Sequence, residues 1–64
     1  MLEVYLMVWI KVDGTLYEWR KPYLKVTKGG TSKEYYQDSH KEAKIYIQML
    51  HPGKQLPEWR HEDE

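Results

Sequence analysis

The residues able to do chemistry in this chain are few, and their spacing keeps them apart. His40, His51 and His61 are the only histidines, Ser32 and Ser39 the only serines, and cysteine is absent. On one helix, His40 and His51 would stand roughly 16 Å apart along the axis, too far to share a metal ion. No histidine has a carboxylate three or four residues away on a convincing face, so nothing marks a general base. Ser32 and Ser39 are explained by a turn and a helix cap. Glu62, Asp63 and Glu64 lie in a run with nothing to hold two acids in fixed geometry. Lys28-Gly29-Gly30-Thr31 lacks the Gly-Lys-Ser/Thr order of a phosphate loop and reads as a hairpin turn. The expectation is a protein that is not an enzyme, with no cofactor and no metal.

Two groups of residues point to binding instead. The run from Arg20 to Lys33 carries Arg20, Lys21, Lys25, Lys28 and Lys33 and no acid. Cations of this kind meet phosphates with release of counterions, and with Tyr23 among them and Tyr35 and Tyr36 just after, they suit a β-ribbon that reads a groove or stacks bases. The bland reading of the same lysines is that they keep edge strands from pairing with other chains. The second group is Tyr5, Met7, Trp9, Arg20 and Tyr36, which share a sheet face if the elements fold as their periodicity suggests. Trp, Tyr, Met and Arg are the types enriched at protein interfaces.

The elements that position these groups follow from pattern. Val4, Leu6, Val8, Ile10 and Val12 alternate with Tyr5, Met7, Trp9 and Lys11 at the strand period of two. Asp13-Gly14 then suits a two-residue type I′ hairpin, pairing Val12 with Thr15, Ile10 with Tyr17 and Val8 with Trp19. Pro22 interrupts the second strand, and the apolar phase changes from odd to even numbers across it, which predicts a bulge near Arg20-Lys21-Pro22. Gly29-Gly30 returns the chain into a third strand, setting Leu24 opposite Tyr35 and Lys25 opposite Glu34.

Ser39-His40-Lys41-Glu42 matches a capping box and opens a helix whose stripe is Ala43, Tyr46, Ile47 and Leu50, with Ile45 and Met49 alongside. His51-Pro52-Gly53 ends it. The fold class expected is α+β: a three-stranded antiparallel β-meander followed by one amphipathic helix packed on one face, β-β-β-α. Residues 1–53 form that domain and 54–64 an extended, acidic C-terminal tail.

One helix covers one face of a sheet, so the face of Tyr5, Met7 and Trp9 needs another cover. Leu56-Pro57-Glu58-Trp59 would serve by folding back; otherwise the face is a binding surface or a homodimer interface. The order of strands and the Ser39 to Ala43 helix start resemble the arm-type DNA-binding domains of phage and transposon integrases. The layout is also similar to small phage-encoded inhibitors of host proteins. The apolar first strand and acidic tail depart from the integrase pattern, and no functional residue is carried over.

Composition bounds these readings. A chain of 64 residues is one domain, burying about 60% of the surface its unfolded form exposes. Without cysteine its stability rests on packing, as fits a reducing compartment. Six Tyr and three Trp supply all the aromatic rings. Formal charge is zero, but residues 11–44 hold eight basic and five acidic side chains, and residues 54–64 hold two and four. The longest apolar stretch, residues 4–10, falls short of the roughly 20 residues of a membrane span. A cytoplasmic protein off the membrane is expected, meeting a protein partner, such as one from a host cell, or alternatively nucleic acid.

Overall fold

The structure is a computed structural model that describes residues 7–61. It contains β1 (Val8–Val12), β2 (Thr15–Arg20), β3 (Tyr23–Lys28), β4 (Thr31–Tyr36), α1 (His40–Leu50) and β5 (Arg60–His61). The strands form one antiparallel sheet in the order β4-β3-β2-β1-β5. The class is α+β, with four meander strands and a short fifth where three were expected. Val4, Tyr5 and Leu6 of the expected first strand, and the acidic residues 62–64, lie outside the described residues.

The extra strand arises at Pro22. The expected bulge is a turn: Lys21 and Pro22 are its two central residues, joined by a cis peptide, and Arg20 pairs with Tyr23 across it. A turn is where proline gives up no ladder hydrogen bond. The other two hairpins close through Asp13-Gly14 (φ 50° and 82°) and Gly29-Gly30 (φ 58° and 81°), the two positive φ values of a type I′ turn. Every two-residue turn pairs an even-numbered residue with an odd-numbered one. The inward face therefore passes from Val8, Ile10 and Val12 to Thr15, Tyr17 and Trp19, then to Leu24 and Val26, then to Lys33 and Tyr35. That alternation is the phase change seen in the sequence. The pairings Ile10–Tyr17, Leu24–Tyr35 and Lys25–Glu34 stand as expected.

Ser39 caps α1 from an extended conformation, its hydroxyl accepting from the Glu42 N–H at 3.2 Å. At the other end the His51 N–H bonds the Ile47 and Gln48 carbonyls, and the Gln48 amide donates to the carbonyls of His51 and Lys54. Ala43 and Ile47 press onto Ile10, Val12, Tyr17 and Leu24 to make the core. Trp19, Val26, Tyr46, Leu56 and Trp59 pack around it. The expected stripe is thus narrower than its sequence: Leu50 stays 47% exposed, Ile45 62% and Met49 72%. A short helix lying on a sheet buries its underside only, and here the last turn is anchored through His51 on Tyr17.

Residues 54–59 form neither helix nor strand. Leu56 and Trp59 pack on the helix side of the sheet, Lys44 and Glu58 pair at 3.7 Å, and Arg60–His61 adds a strand beside Val8 and Trp9. The segment that would have covered the aromatic face therefore covers the core, because Leu56 and Trp59 find apolar partners there. No helix among the described residues is long and apolar enough to cross a membrane.

Candidate functional site

The face away from α1 is built by the register of five strands. One row crosses all of them: Arg60, Trp9, Glu18, Lys25 and Glu34. The Arg60 guanidinium lies 5.2 Å from the Trp9 ring centroid, a cation–π distance. Lys25 sits between two carboxylate-bearing neighbours, so charges of opposite sign alternate along the row. Arg20, Tyr23 and Tyr36 form the next row, and the two tyrosine rings meet edge to face at 6.1 Å. Lys11, Leu16, Thr27 and Ser32 form a third, in which the Thr27 and Ser32 hydroxyls bond at 2.9 Å.

Two recesses open on this face. One, about 320 Å³, is lined by Met7, Glu18, Arg20, Lys21, Tyr23, Lys25 and Glu34. The other, about 410 Å³, is lined by Met7, Trp9, Lys11, Leu16 and Glu18. They share Met7 and Glu18 and so run on from one another. Tyr23 is 50% and Tyr36 65% exposed, and the Tyr36 hydroxyl donates to Asp38 at 3.4 Å.

Of the residues read from the sequence as a protein-binding set, Met7, Trp9, Arg20 and Tyr36 fall on this face, and Tyr5 lies outside the described residues. Sequence reading missed Tyr23, because its side depends on the two-residue turn at Pro22. It also missed Arg60, because the tail gives no strand signal beyond the alternation of Trp59 and Arg60.

The five basic residues read as a nucleic-acid set are spread out. Arg20 and Lys21 stand at one end of β3 and Lys28 at the other, about 17 Å away at the rise of a strand. Lys33 is on the helix side of β4, sharing the parity of Tyr35, whose ring meets Tyr46 at 5.3 Å. Lys25 faces the other way, between Glu18 and Glu34.

A polar cluster that no sequence spacing signalled joins the ends of the molecule's first turn and its helix. Asp13 Oδ2 lies 3.4 Å from His51 Nδ1, and Tyr17 Oη lies 2.7 Å from His51 Nε2. Lys54 Nζ donates to Asp13 Oδ1 at 2.6 Å. The carboxylate favours the tautomer with hydrogen on Nδ1, so Nε2 accepts from the Tyr17 hydroxyl. The hydrogen bond from Lys54 first, then its charge and the facing His51 imidazole, hold the Asp13 carboxyl below its ordinary range. Burial first, and the Asp13 charge second, push the Tyr17 hydroxyl up. Carboxylate, imidazole and hydroxyl stand in the order of a proton relay, but Tyr17 is 2% exposed. The cluster ties the first turn and the centre of β2 to the end of the helix. Among the described residues no group of three or more His, Cys, Asp or Glu is placed to hold a metal ion.

No family model, no curated protein and no solved structure matches this chain. The fold and the site define a small α+β domain with a helix on one side of an antiparallel sheet and an aromatic, mixed-charge face on the other.

Proposed function

We propose that the chain is a protein-binding module that acts by covering a surface of another protein, as an adaptor or inhibitor does. The observation that carries this reading is the exposed pair Tyr23 and Tyr36, with half-buried Trp9 in the neighbouring row and a recess beside Met7 and Arg20. Helix, Leu56 and Trp59 are all spent on the other side. Rigid aromatic rings with a neighbouring arginine supply contact area at low entropic cost and are the side chains whose loss weakens interfaces most. Alternating charges along the row from Arg60 to Glu34 fix register and reject wrong partners. The spread of the basic residues over both faces, and the acids beside Lys25, favour a protein surface over a run of phosphates.

The test is capture from nuclease-treated lysate by the wild-type chain and by Tyr23→Ala/Tyr36→Ala. Both side chains are at least half exposed, so the double variant keeps the fold, which circular dichroism checks. The reading predicts partners held by the wild type and released by the variant. Equal capture, or capture that disappears with the nuclease, would overturn it. Sedimentation of the free chain provides a further check: a dimer that dissociates on Tyr36→Ala would make the same face an interface between copies.

A further inference from the structure

We infer that the free edge of β4, together with the recess between that edge and α1, is a second binding site that takes an extended peptide as a sixth strand. It adjoins the face that carries the proposed function and shares Glu34 and Tyr36 of β4 with it. Three observations lead to it.

The first is the ladder. Gln37 N–H bonds the Pro22 carbonyl at 2.8 Å, in the same register that pairs Leu24 with Tyr35, Val26 with Lys33 and Lys28 with Thr31. In an antiparallel pair, bonded and non-bonded positions alternate. Residues 31, 33 and 35 therefore bond inward to β3, and Ser32, Glu34 and Tyr36 turn their N–H and C=O groups outward. The order of the sheet makes β4 its outer strand. These are the groups an added strand would use.

The second is what stands beside the edge. Gln37, Glu42, Ile45, Tyr46 and Met49 line a recess of about 360 Å³. Tyr46 meets the ring of Tyr35 on β4, and Ile45 and Met49 hold apolar side chains in solvent at 62% and 72% exposure. In a sixth strand, the residue opposite Tyr35 points to the helix side, toward this recess.

The third is charge. Lys33 on the helix side and Glu34 on the open side are adjacent in the middle of the edge. A second copy is disfavoured as the occupant, because its two fullest antiparallel registers set Glu34 against Glu34 or Lys33 against Lys33. A complementary strand places an acid opposite Lys33 and a base opposite Glu34. Read from N to C in the antiparallel sense, it runs large apolar, basic, acidic.

The probe is the capped peptide Thr-Lys-Thr-Ile-Lys-Glu-Thr, titrated into the ¹⁵N-labelled chain. The amide signals of Ser32, Glu34 and Tyr36 are expected to move and their exchange with solvent to slow. A peptide with the final lysine and glutamate interchanged should bind at least about fivefold more weakly, since two attractive cross-strand pairs become repulsive. Met49→Ala, at an exposed site that the fold does not need, should weaken binding of the original peptide several-fold. Trp9→Ala, on β1 and three strands from this edge, should leave peptide binding unchanged, which tells this site apart from the open face. The inference is overturned if those amides stay still at millimolar peptide, if both peptides bind alike, or if the same amides move with protein concentration alone.

Discussion

The Tyr17 hydroxyl donates to His51 Nε2 at 2.7 Å, and the two rings meet edge to face at 5.8 Å. This contact joins the centre of β2 to the residue that ends α1, across 34 positions of sequence. Tyr17 itself lies in the core and pairs across the sheet with Ile10 and Val26. Tyr17→Phe keeps the ring and removes the hydroxyl, leaving the imidazole nitrogen without its partner. A loss of about 1–2 kcal/mol is expected in urea unfolding. In a double-mutant cycle with His51→Ala, the two losses should fall short of additive.

The same clamp gives stability an acid limb. Asp13, held below its ordinary value of 3.8 first by the Lys54 hydrogen bond, binds a proton less readily folded than unfolded. Its contribution is complete above the unfolded value and disappears as pH falls through the lower folded one. Asp13→Asn keeps a residue that tolerates the positive φ and removes the charge. Melting temperatures of the two proteins should differ at pH 6 and converge as pH falls well below 3.8. Parallel curves across that range would count against the clamp.

At the alkaline end, the Tyr17 hydroxyl, raised above 10.0 chiefly by burial, stays protonated in the fold after the unfolded chain has begun to ionise. Stability should fall as pH rises past that value, and Tyr17→Phe should flatten the fall. Thermal unfolding between pH 9 and 11 reads both.

Trp59 packs on the core edge, yet its indole N–H is buried with no partner among the described residues. An orphaned donor costs about 1–3 kcal/mol. Trp59→Phe removes it while keeping most of the ring, so stability should hold or rise, and Trp59→Ala should destabilise by about 2 kcal/mol through lost burial. Thermal unfolding of the pair distinguishes the donor from the ring.

What the sequence made legible followed from short-range rules. Asp13-Gly14 set the first hairpin because both positions must take positive φ, and Ser39 announced the helix because its hydroxyl has one N–H to receive. The phase change at Pro22 was also visible, but a bulge and a two-residue turn both produce it, and only long-range pairing decides between them. That choice placed Tyr23 on the open face. The Asp13–His51 contact was invisible for another reason: its partners meet only once α1 has packed across the sheet. The alternation of the sequence leaves two covers open for the aromatic side, the tail or a partner, and Leu56 and Trp59 pack against the core instead.

The central claim, that a protein partner meets the open sheet face, is tested most directly by site-specific photocrosslinking in nuclease-treated lysate. A photoreactive phenylalanine derivative at Tyr36, in the aromatic row, is compared with one at Lys28, at the far end of β3 and on the other side. The account predicts a discrete protein adduct from position 36 that excess unlabelled chain competes away, and none from position 28. Equal adducts at both positions, or an adduct that excess Tyr23→Ala/Tyr36→Ala chain displaces as well as the wild type does, would contradict it.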